Sequence, residues 1–265
     1  MILNTLTSIS FLFYLVSSLG LIKSIQNSRI SKFSMFCAWL AALTHTGFIA
    51  VDIVNKQGLD FSLFSIANFI ALIIVFFLLL AALSKPVAKL GILLFPSAAL
   101  FLLLHTLFPS DAPAMTGLSI EMLAHILTSI SAFSLLAIAA VQALLLTLQN
   151  YYLKNHITGK FLQSLVSLQA MEALLFQMIS VGVGFLSISL LTGFVFIDDL
   201  FAQHLVHKTI LSLLAWVIFS CLLLGKKYYG WRGKTAITWT LYGFLSLVLA
   251  YFGSKLVLEL ILDRV

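Results

Sequence analysis

Charged side chains are scarce in this chain, in which Asp, Glu, Lys and Arg make up only 9% of 265 residues. So few charges cannot cover the surface of a soluble protein of this size, whereas a polytopic membrane protein needs them only in its connections. Hydrophobic residues make up 62% of the chain, and the mean hydropathy is +1.12. The composition therefore excludes a water-soluble globule and predicts an all-α, polytopic bundle of transmembrane helices.

Cysteine is also rare, and several catalytic signatures are missing. Cys37 and Cys221 stand alone in apolar runs, which excludes a disulfide scaffold and the C-x-x-C-H attachment site of a c-type cytochrome. The sequence has no nucleophile elbow, H-E-x-x-H pair, P-loop or G-x-G-x-x-G turn, so neither a hydrolase nor a phosphate site is supported. The formal charge of +6 does not indicate a nucleic-acid partner, because the basic residues form small groups between apolar runs.

Eight apolar runs are long enough to cross a hydrocarbon core of roughly 30 Å as helices. The first of them has no basic segment before it and no cleavage site after it, so we expect a retained span and not a signal peptide. The connections are too short to fold alone, which predicts one integral-membrane domain over residues 1–265. The runs lie near residues 2–22, 33–54, 62–83, 90–108, 119–149, 168–197, 208–224 and 235–258.

The distribution of basic residues predicts the orientation of the bundle. Eleven of the fifteen Lys and Arg residues fall in the connections after the first, third, fifth and seventh runs. Basic loops stay on the cytoplasmic side of a membrane. We therefore expect both termini to be periplasmic, in a multi-pass protein of the bacterial inner (plasma) membrane surrounded by the lipid bilayer.

Histidines on three different runs are the main candidates for chemistry. His45 lies roughly 18 Å along the second run, His125 lies roughly 9 Å from the outer end of the fifth, and His207 caps the seventh. Neutral imidazole is a good axial ligand for haem iron, although a buried histidine can also be a hydrogen-bonded packing residue. We expect His105 to face the outer headgroups. His204 shares a helical face with His207, but no cysteine or carboxylate completes a zinc site.

The neighbours of these histidines suggest how a ring is held. Thr44, Thr46 and Gly47 flank His45, where hydroxyls could orient the ring or a glycine could admit a flat cofactor. The sixth run is rich in small residues, including Gly182, Gly184 and Gly193, which predicts a helix-packing face. Glu172, near the start of that run, is interpreted as a charge that stabilises the helix N-terminus.

Several motifs resemble the cytochrome c assembly protein family, in particular its small eight-span members. The likeness covers nearly the whole chain and is most specific from the fifth run onward. His45 and His125 fall where these members carry intramembrane histidines. The motifs are Ser167–Glu172 continuing through Gly182 to Leu191–Phe194, then His207–Ser212 with Trp216, then Gly230–Lys234, and finally Ala250–Ser254.

The resemblance implies haem handling for cytochrome c assembly. It implies a haem b between the second, fifth and seventh runs near the outer leaflet, with His45 and His125 as ligands or gates and His207 as the outer contact. No metal is expected beyond the haem iron. Apocytochrome c and other cytochrome assembly proteins are the partners that it implies. The loop from Phe196 to His204 has no tryptophan, whereas larger family members hold haem with a tryptophan-rich loop. A haem-binding accessory protein is therefore favoured over a complete haem lyase, and no catalytic residue is assigned.

A second hypothesis is a non-enzymatic membrane scaffold or regulator, which modulates haem synthesis or accompanies a transporter. In that case the histidines only pack. The segment Gly230–Lys234 would then be the natural docking surface, although tryptophan beside basic residues is also the usual anchor of a span end.

Overall fold

In the computed structural model, the described residues form eight helices that are long and apolar enough to cross a membrane, which confirms the predicted all-α class. The structure describes residues 2–27, 31–110, 114–156, 166–196 and 203–253. Within those ranges the only extended pairing is an isolated bridge between Leu59 and Met115. The helices are α1 (Ile2–Asn27), α2 (Lys32–Lys56), α3 (Leu63–Ala82), α4 (Gly91–Leu107), α5 (Ile120–Lys154), α6 (Leu168–Phe196), α7 (Gln203–Tyr229) and α8 (Lys234–Val248).

Within the described residues each predicted span coincides with one helix, and several helices continue beyond their apolar runs. The end of the eighth predicted span, 254–258, lies outside the described residues. The predicted seventh span, 208–224, is the clearest case, because α7 begins at Gln203 and ends at Tyr229. A helix satisfies its own backbone hydrogen bonds, so it need not stop where the apolar residues stop. A 3₁₀ turn at Ala88–Leu90 leads into α4, and a π turn at Leu249–Gly253 follows α8.

The chain divides into two compact units. Unit 1 comprises residues 1–117 and 159–165 and contains α1 to α4, whereas unit 2 comprises residues 118–158 and 166–265 and contains α5 to α8. In unit 1, α1 packs on α2 and α4, and α3 packs on α4 and α2. In unit 2, α5 packs on α6 and α8, while α7 packs on α8 and α6. The prediction of a single domain and of periplasmic termini stays a prediction.

A proline inside α4 explains one of the contacts that hold unit 1 together. Pro96 has no backbone N–H, so the carbonyl of Ile92, four residues earlier, loses its helical hydrogen bond. The Ser18 hydroxyl of α1 donates to this carbonyl at 3.0 Å. Ser17 of α1 similarly donates to the backbone carbonyl of Ser34 on α2 at 2.8 Å. Short hydroxyl side chains therefore join α1 to both of its neighbours, as is common between membrane helices.

In unit 2 the helices approach closely at glycines. A Cβ on Gly182 of α6 would stand 2.8 Å from the Leu136 side chain of α5, and a Cβ on Gly243 of α8 would stand 2.8 Å from the Phe219 ring of α7. The predicted packing face of the sixth run is thus confirmed at Gly182. It is wrong at Gly184, where a Cβ would meet nothing within 4 Å.

Candidate functional site

His45 lies on α2 at the centre of unit 1, where its ring is fully buried. The His45 Nδ1 atom is 3.1 Å from the hydroxyl of Tyr14 on α1, and the Nε2 atom is 2.8 Å from Oδ1 of Asn68 on α3. An amide oxygen only accepts, so Nε2 carries the proton and Nδ1 accepts from the tyrosine. Both nitrogens of His45 are therefore already used within the protein.

The sequence neighbours of His45 do not orient its ring. The Thr44 hydroxyl donates to the carbonyls of Leu40 and Ala41, and Thr46 donates to the carbonyl of Ala42. These are bonds to the preceding turn of the same helix, which is where a threonine on a helix normally finds its acceptor. The orienting groups come from α1 and α3 instead, and sequence reasoning missed both of them.

His125 lies on α5 in unit 2, where its ring is held from one side only. Its Nδ1 atom is 3.0 Å from the backbone carbonyl of Ser189 and 3.2 Å from the Thr192 hydroxyl, both on α6. Because a carbonyl only accepts, Nδ1 must carry the proton. The Nε2 atom then holds a lone pair, and it has no hydrogen-bond partner within the described part of the chain.

A glycine of α6 makes room for this ring. A Cβ on Gly193 would stand 2.9 Å from Cε1 of His125 and 3.3 Å from Nδ1, which is closer than a side chain tolerates. Gly193 belongs to the predicted helix-packing face of the sixth run, and the structure confirms this close approach. Its effect is to seat the imidazole against the backbone of α6.

A pocket with a cavity volume of about 160 Å³ opens beside His125. Hydroxyl groups from α5, α6 and α7 lie among its mainly apolar walls, and Lys208 adds a positive charge whose ammonium group is 5.3 Å from the centre of the Tyr251 ring. Two of the hydroxyls, those of Ser129 and Ser189, are hydrogen-bonded to each other. The polar members of the lining are His125, Ser129, Ser189, Lys208, Thr209, Ser212 and Tyr251.

The three histidines predicted to hold haem fall in both units. His45 belongs to unit 1, while His125 and His207 belong to unit 2. The side chain of His207 is exposed in the first turns of α7, one residue before Lys208. The side chain of His204, and residues 197–202 of the loop that lacks tryptophan, lie outside the described residues.

His105 was expected to face the headgroups, but the structure places it in the interior of unit 1. Its ring is buried, and its Nε2 and Nδ1 atoms lie 3.2 Å from an Asp52 carboxylate oxygen and 3.1 Å from the Ser65 hydroxyl. The expectation is wrong because it considers only how near His105 is to the end of α4. The carboxylate that draws the ring inward is on another helix, α2.

The Gly230–Lys234 segment forms part of the packing in unit 2. The Trp231 ring lies against Gly225, where a Cβ would stand 2.3 Å from it, and its centre is 5.0 Å from that of Trp239. Glu172 accepts a short hydrogen bond from the backbone N–H of Gly233 and pairs with Arg232 at 3.5 Å. Glu172 is thus a structural residue, as predicted, but its role is to hold the turn before α8.

Comparisons with known proteins agree with the resemblance seen in the sequence. The profile of the family described as Cytochrome C assembly protein matches residues 28–262. Inner membrane protein YpjD of Escherichia coli K12 is 29% identical over 238 residues, which cover 89% of this chain and 90% of that protein. An uncharacterized 28.8 kDa protein of Azospirillum brasilense, encoded in a nifR3-like 5′ region, is 29% identical over 201 residues, or 73% of each chain. No solved structure matches the chain significantly.

Proposed function

Because the chain belongs to the Cytochrome C assembly protein family, we propose that it binds haem b in the unit 2 pocket beside His125. In this proposal the pocket lies near the outer leaflet of a bacterial inner membrane. The YpjD relative is named as an inner membrane protein. Haem bound there would be presented for cytochrome c assembly, with apocytochrome c and other assembly proteins as partners. The chain acts as a carrier in this proposal, and it needs no catalytic residue of its own.

The state of the His125 ring is the observation that carries the proposal. A histidine that ligates a metal usually donates its other ring N–H to a carboxylate, a backbone carbonyl or water, which fixes the tautomer and the ring orientation. The bond from Nδ1 of His125 to the Ser189 carbonyl has this form, and it directs the free lone pair to Nε2. An imidazole in this state would hold haem iron through Nε2 if haem were bound in the pocket.

The rest of the pocket fits haem in chemistry and only partly in volume. Apolar walls suit a porphyrin face, and the cation of Lys208 complements carboxylate side chains of the macrocycle. Small-molecule pockets are typically about 300 Å³ or more, so a cavity of about 160 Å³ would admit only part of a porphyrin. His207, exposed beside Lys208, is proposed as a contact on the outer side.

His45 has a different place in the proposal. To ligate iron it would have to give up its hydrogen bond to Tyr14 or to Asn68. Each of those bonds joins two helices in the interior of unit 1, so breaking one leaves a buried polar group without a partner. We propose that His45 positions α1, α2 and α3, and that any ligation by it requires unit 1 to rearrange.

An absorption spectrum tests the haem proposal directly. We expect protein purified in mild detergent from a haem-replete host to show Soret and alpha bands in the reduced-minus-oxidised spectrum. His125→Ala should remove most of this haem, and free imidazole added to the variant should restore part of it, because the ligand fills the space that the side chain leaves. Folded, monodisperse wild-type protein without haem would reject the proposal.

Single replacement of each remaining candidate separates ligands from packing residues. His156 is exposed after α5 and serves as the matched control, so His156→Ala should leave the bands unchanged. His207→Ala should weaken haem retention less than His125→Ala does. If His45→Ala removes haem while the protein stays folded and His125→Ala does not, the assignment of the ligand to unit 2 is wrong.

The scaffold hypothesis keeps one observation in its favour, which is the exposure of tyrosines beside the Gly230–Lys234 turn. The side chains of Tyr228 and Tyr229 are 69% and 80% exposed. Trp231→Ala is a poor probe of docking, because the indole packs on Gly225 and its loss disturbs the fold. Tyr228→Ala is cleaner. Loss of a specific partner in a pull-down with this variant, with haem content unchanged, would support the scaffold.

A further inference from the structure

Two connecting segments of unit 1 pair with each other to form a rim, which plays no part in the proposed function. The rim consists of the loop Gln57–Ser62 and the segment 114–116. The backbone of Leu59 pairs with that of Met115 through two hydrogen bonds of 3.1 and 2.9 Å. A Cβ on Gly58 would stand 2.7 Å from the Met115 carbonyl oxygen, so the two segments of the rim are in contact at this glycine. The two segments of the rim therefore hold each other, and the contacts that join the rim to the helices come from other residues.

Asp60 is the centre of the polar contacts within the rim. It accepts hydrogen bonds from the Lys56 ammonium group at 2.7 Å, the Ser65 hydroxyl at 2.6 Å and the backbone N–H of Ser62 at 2.7 Å. Burial alone would raise the pKa of this carboxyl, but the hydrogen bonds from Lys56, Ser65 and Ser62 and the charge of Lys56 together lower it. Asp60 is therefore an ionised acceptor, and each of its three partners is a donor.

His105 connects this group to α4. Its Nε2 atom faces the carboxylate of Asp52, which only accepts while ionised, and its Nδ1 atom faces the Ser65 hydroxyl. Ser65 has a single hydroxyl proton, and its short bond to Asp60 uses that proton. The Ser65 oxygen is then an acceptor toward His105. In this arrangement both nitrogens of the His105 ring face oxygen atoms that act as acceptors.

We propose that His105 carries a proton on each ring nitrogen and that this imidazolium is the clasp that fastens the rim of unit 1 to α4. The clasp joins α2 through Asp52, α3 and the rim through Ser65, and α4 through His105 itself. The charges also balance, since Asp52 and Asp60 are negative while Lys56 and His105 are positive. A neutral sum suits a cluster that lies at the end of a transmembrane bundle.

Within the described residues of unit 1, few other titratable groups lie near this cluster. Helix α3 has no titratable side chain, and the other titratable side chains of α1 and α2 are Tyr14, Lys23, Lys32, Cys37 and His45. Of these His45 comes nearest along α2, about 10 Å before Asp52, and its nitrogens are satisfied by Tyr14 and Asn68. Loss of the proton on Nδ1 of His105 would leave that nitrogen and the Ser65 oxygen facing each other as two acceptors. The clasp then loses that hydrogen bond and opens.

Nitrogen NMR of the full chain tests the protonation state without any change to the cluster. The protein is labelled with ¹⁵N-histidine and placed in lipid nanodiscs at about pH 7. His105→Gln identifies the signals of His105 by their disappearance. We expect both nitrogens of His105 to show the shifts of an N–H group. A pair of shifts typical of a neutral tautomer would overturn the proposal.

A labelling experiment tests the clasp itself. Leu59→Cys, in a Cys221→Ser background, places a half-buried thiol in the rim, and its reaction with a maleimide reports opening. We expect His105→Gln and Asp52→Asn each to speed labelling about tenfold, and the double variant to add little further. His156→Gln, which changes an exposed histidine of unit 2, should leave the rate unchanged.

The two experiments together decide the proposal. If His105 is doubly protonated and its loss exposes the rim, the clasp is supported. If it is doubly protonated but His105→Gln leaves labelling unchanged in protein that stays monodisperse, the rim is held by Asp60 and the Leu59–Met115 pairing alone, and the clasp is wrong. Neither readout depends on haem, so the inference stands or falls apart from the proposed function.

Discussion

Units 1 and 2 each place a histidine on a transmembrane helix among hydroxyl-bearing neighbours, but they leave the ring nitrogens in different states. In unit 1, Tyr14 and Asn68 occupy both nitrogens of His45. In unit 2, the Ser189 carbonyl occupies one nitrogen of His125, and the other faces no protein partner in the described ranges. One ring is a completed junction between three helices, and the other has one nitrogen without a partner among the described residues.

The difference shows how a membrane histidine should be interpreted. Burying an imidazole among apolar helices is costly unless its polar atoms are satisfied, so burial alone says that partners exist. Counting the partners of each nitrogen separates a packing residue from a candidate ligand. By this count His105 resembles His45, because Asp52 and Ser65 occupy both of its nitrogens.

The largest expected effect is a difference in stability between two alanine variants. His45→Ala leaves the buried Tyr14 hydroxyl and Asn68 amide without partners and opens a cavity, which should lower the free energy of unfolding by about 3 kcal/mol. His125→Ala frees only a carbonyl that Thr192 already shares, so about 1 kcal/mol is expected. Thermal unfolding in one detergent compares the two variants with wild type.

The exposed His156 supplies the baseline for this comparison, since His156→Ala should change the midpoint least. Equal losses of stability for His45→Ala and His125→Ala would remove the distinction between the units. A greater loss for His125→Ala would reverse it, and would mark His125 as the packing residue.

The helices and the candidate histidines were predictable, but the partners of the histidines were not. Apolar runs predict the eight spans, because a helix must present about twenty apolar residues to the bilayer. The partners Tyr14 and Asn68 lie 31 and 23 residues from His45, and Asp52 lies 53 residues from His105. No local pattern links positions so far apart, since their meeting depends on how the helices are packed and rotated.

The next largest effect is expected at a glycine beside His125. Gly193→Ala puts a methyl group 2.9 Å from Cε1 of the ring, so the imidazole must tilt away from the Ser189 carbonyl. We expect haem affinity to fall about tenfold although every candidate ligand is retained. Titration of the purified variant with haem, followed by absorbance, measures this.

The same helix offers a matched control for that substitution. A Cβ on Gly184 would meet nothing within 4 Å, so Gly184→Ala adds the same methyl group to α6 without a clash. It should leave haem affinity unchanged and should slightly favour the helix. A similar loss of affinity in both variants would mean that α6 responds as a whole, and that the seat of the His125 ring is not special.

A smaller effect is expected from single hydroxyl groups. Tyr14→Phe keeps the ring packed near Phe95, 6.1 Å between centres, but removes the hydroxyl that donates to Nδ1 of His45, so about 1 kcal/mol of stability should be lost. Thr192→Val in unit 2 should cost less, because the Ser189 carbonyl still accepts from His125. Chemical denaturation in detergent ranks the two variants. The opposite order would contradict the conclusion that both ring nitrogens of His45 depend on their hydrogen-bond partners.

The smallest effect is a dependence of unit 1 on acid. Because hydrogen bonds and Lys56 lower the pKa of Asp60 in the folded protein, its stabilising contribution is complete above the ordinary pKa of an aspartate. The contribution is lost as the pH falls through the lowered value. Asp60→Asn cannot ionise, so its thermal midpoint should lie below that of wild type at about pH 6 and should approach it toward about pH 3. A gap that stays constant over this range would mean that the charge of Asp60 adds nothing, and that its hydrogen bonds alone hold the rim.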